Sequence, residues 1–253
     1  MTMAGVHRQP LRVLCALFGK FPEPKSPGED EMYDFHTHTF MSDGVLAPVE
    51  LIRRAVVIGY RVMAITDHVG PGNMELVLKT LIKDCAAASK RWDILALPGV
   101  EITHVPKEDI DALAKEAKAM GAKVVNVHGE TISEPVEPGT NLAAVSSTHV
   151  DVLAHPGLIT PEEASIAVGN GVFLEVSGRK SHAFANGHVV ATARKAGARM
   201  VLDSDAHEPG DLLTREYAMK VALGAGLVER DAVELLDLAP LDLMARLRVG
   251  DKS

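Results

Sequence analysis

Histidines and carboxylates stand directly after short apolar runs along this 253-residue chain. Six of the eleven histidines occupy such positions. Imidazole nitrogens and carboxylate oxygens together suit zinc, manganese and iron, and the lack of nearby thiolates argues against a purely structural zinc site. His36 and His38 occupy alternate positions of an extended segment, so both rings lie on one side and can reach one ion. The pattern therefore indicates a site for divalent metal ions.

Seven apolar runs predict the strands that must position these side chains. They cover residues 32–35, 62–66, 94–97, 123–127, 150–154, 172–176 and 199–202. The residues at or after their ends are, in order, His36, His38 and Asp43, then Asp67 and His68, Glu101, His128, His155, Glu175, and finally Asp205 and His207. In a barrel of parallel strands the carboxyl ends open onto one face, where groups from many strands meet. We therefore expect these side chains to converge.

Helical segments separate the apolar runs. Candidates are residues 48–58, 74–89, 106–120 and 161–168, and two further helices are predicted from Asp211 onward. Glycines stand where a left-handed helix cap is needed, at Gly59, Gly121, Gly171 and Gly197. The alternation of strands and helices predicts an α/β fold with a parallel sheet.

The composition excludes several classes of protein. The chain is 47% hydrophobic and 24% charged, with a formal net charge of −8. That acidic balance argues against wrapping long nucleic acid or lying on an anionic membrane, because both partners require a basic face. The N-terminal apolar run 11–18 is too short to span a bilayer. Cys15 and Cys85 form no disulfide framework, which favours a reducing, cytoplasmic location.

Residues 20–31 contain three prolines among charged residues and show no periodicity. We therefore predict that residues 1–31 are an N-terminal extension or linker and that residues 32–250 form one domain. The oligomeric state is not indicated by the sequence.

Six segments resemble the polymerase and histidinol phosphatase (PHP) superfamily. They are DFHTHTFMSDG at 34–44, AITDH at 64–68, PGVE at 98–101, VH at 127–128, LAHP at 153–156 and SDAH at 204–207. Stand-alone histidinol-phosphatase-like phosphoesterases are the most similar members. The resemblance implies a distorted seven-stranded, TIM-like (βα)7 barrel with a trinuclear centre of zinc, manganese or iron ions.

The resemblance also implies which side chains bind each ion. His36, His38, Glu101 and Asp205 would hold the first ion, and Glu101 would bridge to a second ion held by His128 and His155. Asp43, His68 and His207 would hold the third. Many histidinol phosphatases have a histidine at the position of Asp43, so the third site would differ in affinity or in the ion it selects.

Such a centre predicts a metal-dependent phosphatase that acts on a small phosphomonoester, with histidinol phosphate as the leading candidate by resemblance. Clustered cations polarise phosphorus and lower the pKa of a bridging water towards about 7, so that hydroxide is available at neutral pH. The candidate catalytic residues are His207, His68 and Asp205. Either histidine could instead act as a general acid if its ion is absent.

A cationic segment on the expected active face contains the candidate substrate-binding residues Arg179, Lys180, His182 and His188. Arginine and lysine there could bind a phosphate, although an ordinary solvated loop has the same composition. Asp67 could orient a ligand imidazole or form a turn, and Glu175 could support a ligand or face the substrate. His104, His149 and His7 fall outside the family pattern and are interpreted as structural.

Three alternatives remain at this stage. A phosphodiesterase or nuclease acting on short nucleotides is disfavoured by the aromatic content of 4%, since single strands are usually bound on aromatic platforms. A metal-dependent amidohydrolase would use an eighth strand and a bridging lysine at a strand end, whereas Lys123 begins its predicted strand. A non-catalytic metal-binding module is the third alternative.

Overall fold

The structure is a computed structural model that describes residues 31–247. The predicted extension therefore lies, up to residue 30, outside the described residues. Within the described part, no helix combines the length and the apolar character that crossing a membrane would require.

Eight parallel strands form the sheet. They are β1 (Met32–Asp34), β2 (Tyr60–Ile65), β3 (His68–Val69), β4 (Leu95–Ile102), β5 (Val124–His128), β6 (Val152–Ala154), β7 (Phe173–Ser177) and β8 (Met200–Asp203). The main path runs β1-β2-β4-β5-β6-β7-β8, and the two-residue β3 pairs with the end of β4. The predicted seven-stranded, distorted barrel is thus confirmed, and β3 is a short addition that the sequence pattern did not indicate.

Helices connect the strands. They are α1 (Pro48–Val57), α2 (Met74–Arg91), α3 (Ile110–Ala119), α4 (Thr140–Ser146), α5 (Pro161–Asn170), α6 (Asn186–Ala196), α7 (Arg215–Gly224), α8 (Glu229–Asp237) and α9 (Ala239–Leu247). The expectation of two helices after Asp211 was wrong, because three are present. Gly226, with φ of 94°, ends the first of them in a left-handed turn, and the chain turns again at Leu238. The predicted helix 106–120 begins as a 3-10 turn at Lys107–Asp109.

The barrel is closed between β1 and β8 by contacts just beyond the strand ends. Thr37 forms an isolated parallel bridge with Ala206. The Asp205 amide donates to the His36 carbonyl at 2.9 Å, and the His38 amide donates to the Ala206 carbonyl at 2.8 Å. These bonds hold the first and last sequence motifs side by side.

The inward-facing side chains change from apolar to polar along each strand. In β7, Phe173 belongs to the apolar cluster inside the barrel, and Glu175 follows two residues later on the same side of the strand. In β5 the same period runs from Val124 through Asn126 to His128. The apolar layer packs the barrel interior, so the charged layer comes to lie at the carboxyl ends of the strands.

Helix α9 closes the opposite end of the barrel. Its buried residues Leu243 and Met244 join the interior apolar cluster that contains Phe35 and Phe173. Arg246 donates to the carbonyl of Val150 at 2.6 Å and to that of Asn170 at 2.9 Å, just before β6 and β7 begin. The interior is therefore packed at the amino ends of the strands and open only where the polar residues gather.

Candidate metal centre

The predicted side chains converge at the carboxyl ends of the strands. A cavity of about 400 Å³ opens there. Its lining includes Asp43, His68, His128, His155, Arg179, His182, Asp205 and His207. His36, His38 and Glu101 are fully buried and contact these lining residues. All nine side chains named as candidate metal ligands thus belong to one contiguous cluster.

The deepest part of the cluster pairs two imidazoles with two carboxylates. His36 Nε2 lies 3.3 Å from Glu101 Oε1, and His38 Nε2 lies 3.2 Å from Asp205 Oδ1. The two rings are 4.9 Å apart between centroids, as the alternate spacing predicts. Their ligand atoms, with one from Glu101, lie within 4.8 Å of one another, so this group could hold a metal ion.

A second group stands at the cavity wall around Asp43. The Asp43 carboxylate lies 3.1 Å from His207 Nε2 and 3.4 Å from His68 Nε2. His68 Nδ1 is 2.6 Å from Glu101 Oε2, which connects this group to the deeper one. Asp43, His68 and His207 form a group with His38 that could hold an ion.

A third group consists of imidazoles only. His128, His155 and His182 present ligand atoms within 4.8 Å of one another. His155 Nε2 lies 3.4 Å from Glu101 Oε1, so the same carboxylate reaches this group too. The sequence did not associate His182 with the other two histidines.

Buried donor atoms in the cluster fit divalent cations. Five of them have no hydrogen-bond partner: His36 Nε2, both ring nitrogens of His38, His155 Nδ1 and Glu101 Oε1. Leaving such groups unpaired in a buried site is costly, and binding to cations would satisfy one nitrogen of each ring and the Glu101 oxygen. Imidazole and carboxylate donors without thiolate match zinc, manganese or iron. The residues present therefore fit the expected metal ions.

Backbone strain coincides with the cluster. His155 and Asp205 have φ of 28° and 52°, values that residues other than glycine rarely adopt. Strain of this kind costs on the order of 1–3 kcal/mol per residue, persists only where the surrounding structure enforces it, and is common at functional sites. Gly129 follows His128, and a Cβ there would lie 2.3 Å from the Ala154 carbonyl oxygen. A glycine is thus needed at position 129 for the segments after β5 and β6 to approach each other this closely.

Two buried carboxylates, Glu175 and Asp67, support the cluster through hydrogen bonds. Glu175 accepts from His36 Nδ1 at 2.7 Å and from the His155 amide at 2.7 Å. It therefore orients an imidazole rather than facing the cavity. Asp67 accepts from the Thr39 amide and hydroxyl, both at 2.7 Å, and from the Ser42 hydroxyl at 2.6 Å. Asp67 thus stabilises the turn that carries Asp43. None of these three hydrogen bonds goes to an imidazole of the cluster.

The candidate substrate-binding residues separate in the structure. Arg179 lies at the cavity wall and donates to the Asp205 carbonyl at 3.2 Å. Lys180 does not line this cavity but a separate depression that shares Arg179 with it. His188 does not line it either, since it is exposed on α6 and its Nε2 contacts the Ile159 carbonyl at 2.8 Å. His182 is buried among the candidate ligands.

The sequence did not indicate several polar side chains that contact the candidate ligands. Thr103 Oγ1 contacts His68 Nδ1 at 2.7 Å, and Thr131 Oγ1 contacts His182 Nδ1 at 2.7 Å. Glu134 lies 3.1 Å from His128 Nε2 and 3.4 Å from His104 Nε2. Hydroxyls and loop carboxylates have no periodic signal, so these contacts could not be found from spacing. His104, interpreted as structural, lines the cavity with a strained φ of 51°.

Charge pairing perturbs the pKa values of several imidazoles. Burial lowers the pKa of His68, but the neighbouring charges of Glu101 and Asp43 outweigh it and raise the value to about 10. Burial and carboxylates act in the same opposing way on His36 and His128, and the pKa of each is raised. Burial lowers the pKa of His38 to about 3. At neutral pH the metal-free cluster therefore holds both protonated and neutral imidazoles.

These shifts predict that metal binding releases protons. The raised pKa values of His36 and His68 keep both rings protonated at pH 7 without metal, and each must be neutral to bind a cation, so affinity should rise with pH. Calorimetric titration of the metal-free protein with zinc, in two buffers that differ in ionisation enthalpy, measures the protons released. In His68→Gln we expect about one proton fewer than in the wild type. Zinc binding with no net proton release would contradict the assignment, and His149→Gln is the control.

A family model described as "PHP domain" matches residues 34–195. The chain belongs to the PHP domain family. An uncharacterized protein of Methanocaldococcus jannaschii is 46% identical over 217 residues, which are 85% of this chain and 99% of that protein. A "probable phosphatase" of Thermoanaerobacter sp. is 27% identical over 78% of this chain and 87% of its own length.

Two solved structures share the fold of this PHP domain at 14% identity. The histidinol phosphate phosphatase of Lactococcus lactis, complexed with zinc, L-histidinol and phosphate, has a TM-score of 0.55 and covers 78% of this chain and 94% of that chain. A chain of archaeal ribonuclease P with mature tRNA has a TM-score of 0.61 and covers 86% of this chain and 90% of that chain. The barrel described above is thus shared by proteins with different roles.

Proposed function

We propose that this PHP domain is a metal-dependent phosphatase that hydrolyses a small phosphomonoester. The observation that carries the proposal is the convergence of nine histidine and carboxylate side chains from separate parts of the chain. Six of them line one cavity, three are buried directly against those six, and an arginine stands at the cavity wall. Membership of the PHP family and similarity to a probable phosphatase support the same reaction class.

The proposed ligand sets follow the three groups of side chains. His36, His38, Glu101 and Asp205 would hold the first ion; Glu101, His128 and His155 would hold the second; Asp43, His68 and His207 would hold the third. Glu101 is the connecting residue, since its two oxygens lie within 3.4 Å of nitrogens from His36, His155 and His68. Bound there, divalent cations would supply an activated water and neutralise the phosphate charge.

The protein's own groups would then bind and orient the phosphate. Arg179 lies beside His207 and Asp205 with its guanidinium partly exposed to the cavity, where it can donate to phosphate oxygens. Thr103 holds one ring nitrogen of His68, and Glu175 holds one of His36, which fixes the direction of each ring. His68 or His207 would protonate the leaving oxygen if its ion is absent.

The cavity favours a small substrate. Its volume of about 400 Å³ lies in the range of small-molecule sites, about 300–1,000 Å³. The net charge of −8 opposes long nucleic acid. Histidinol phosphate is the first monoester to test, since the L. lactis structure with the same fold holds histidinol and phosphate.

The test is orthophosphate release from a panel of phosphorylated metabolites that includes histidinol phosphate, beside a diester and a short oligonucleotide. We expect release from at least one monoester and little cleavage of the diester. Preferential cleavage of the diester or oligonucleotide would instead support a phosphodiesterase. No hydrolysis of any substrate by metal-loaded protein would support a non-catalytic metal-binding module.

A further inference from the structure

His182 lies among the candidate ligands of the second ion. It is buried, and its ring stacks on that of His155 with centroids 4.0 Å apart and planes inclined by 21°. The His128 ring lies edge-on, 6.0 Å away. One ligand atom from each of the three rings falls within the 4.8 Å limit of a group that could hold an ion.

The orientation of His182 is that of a ligand. Its Nδ1 contacts the hydroxyl of Thr131 at 2.7 Å, which fixes the ring from behind. Its Nε2 faces the cavity and lies 3.7 Å from Asp205 Oδ2 and 3.6 Å from Glu134 Oε1. Metal-binding histidines are commonly held in this way, with one ring nitrogen bonded to a fixed partner and the other turned towards the ion.

The second site has room for His182. Glu101, His128 and His155 would supply three ligands, and zinc can expand from four to five ligands, so a fourth protein ligand leaves a position for water. In a tetrahedral zinc site the donor atoms lie about 3.4 Å apart. The Glu101 Oε1 to His155 Nε2 distance of 3.4 Å already matches that spacing. His182 is the remaining imidazole of the group in the described part of the chain.

We propose that His182 is a fourth protein ligand of the second metal ion, and that Thr131 positions it. This inference rests on the proposed metal centre. It assigns His182 to metal binding instead of substrate binding. Three imidazoles and one carboxylate make this the most nitrogen-rich of the three sites, which favours zinc or iron there over manganese.

Zinc affinity of the metal-free protein, measured by competition with a chelating dye, tests the assignment. In His182→Gln we expect one class of zinc sites to lose at least about 100-fold in affinity while the other sites keep theirs. Removing a metal ligand should cost more affinity than removing the residue that hydrogen-bonds that ligand, which typically costs about 10–100-fold. Thr131→Val should weaken the same class by about 10-fold, and Thr131→Ser should restore it. His149→Gln, an imidazole outside the cavity, is the matched control.

Double variants locate the affected site. In a His128→Gln background, His182→Gln should add little further loss, because both residues serve one ion; in a His68→Gln background its full effect should remain. Circular dichroism of each metal-free variant checks folding, and the Thr131 pair tests the inference if His182→Gln fails to fold.

Two outcomes separate this inference from the proposed function. If His182→Gln binds zinc like the wild type but has a raised KM for the phosphomonoester, His182 binds substrate and the inference is overturned while the phosphatase stands. If the wild type binds no zinc and hydrolyses no monoester, the proposed metal centre fails, and the inference fails with it.

Discussion

Replacing Glu101 by glutamine is expected to lower kcat/KM for phosphomonoester hydrolysis by about 10⁴-fold. Glu101 is fully buried, and its carboxylate is within 3.4 Å of His36, His155 and His68. The variant removes the negative charge that two cations would share and puts an amide N–H group beside them. Steady-state kinetics with the metal content of each sample measure the effect.

Glu116→Gln is the matched control, because Glu116 is exposed on α3 and outside the cavity. It should retain wild-type kcat/KM. If Glu101→Gln kept its activity within about tenfold of the wild type, Glu101 would not connect the proposed ions.

His128→Ala is expected to lower kcat/KM by about 10³-fold, and added manganese or zinc should not restore activity. His128 ends strand β5 and is one of the few proposed donors to the second ion. Wild-type protein stripped by a chelator should lose activity and recover it with either metal. Rate measurements before and after metal addition distinguish the two cases.

His149→Ala provides the comparison of the same residue type, since His149 lies outside the cavity lining. Full activity is expected for it. Recovery of His128→Ala by added metal to the wild-type rate would show that the second ion does not depend on this imidazole.

The barrel and its polar end could be predicted because apolar runs alternate regularly with helical segments along the chain. A histidine or carboxylate stands at or shortly after the end of each apolar run, and parallel strands bring those ends together. His36 and His38 illustrate the strength of the signal: alternate spacing placed both rings inside the site. Gly171 and Gly197 likewise take the positive φ that their positions after helices indicated.

Contacts made by loops could not be predicted in the same way. Glu134 and Thr131 lie in the segment after β5, where no repeat relates position in the chain to direction in space. His182 and His188 belong to one cationic stretch, yet one turns into the cluster and the other bonds to the Ile159 carbonyl on the outside. Only the path of the segment from β7 into α6 decides this difference.

The sequence also could not distinguish a residue that orients a metal ligand from a residue that binds the ion itself. Glu175 lies at the end of its strand like the candidate ligands, but its oxygens are used by His36 Nδ1 and the His155 amide. Hydrogen-bond partners from distant parts of the chain determine that role. The sequence could therefore place Glu175 near the site without deciding its function.

The most direct test is to remove metal from the wild-type protein, to verify the metal content of that sample by elemental analysis, and to measure orthophosphate release from the best monoester of the panel. We predict that hydrolysis disappears with the metal and returns when manganese or zinc is added back. Undiminished turnover by a sample verified to be free of metal would contradict the proposed centre.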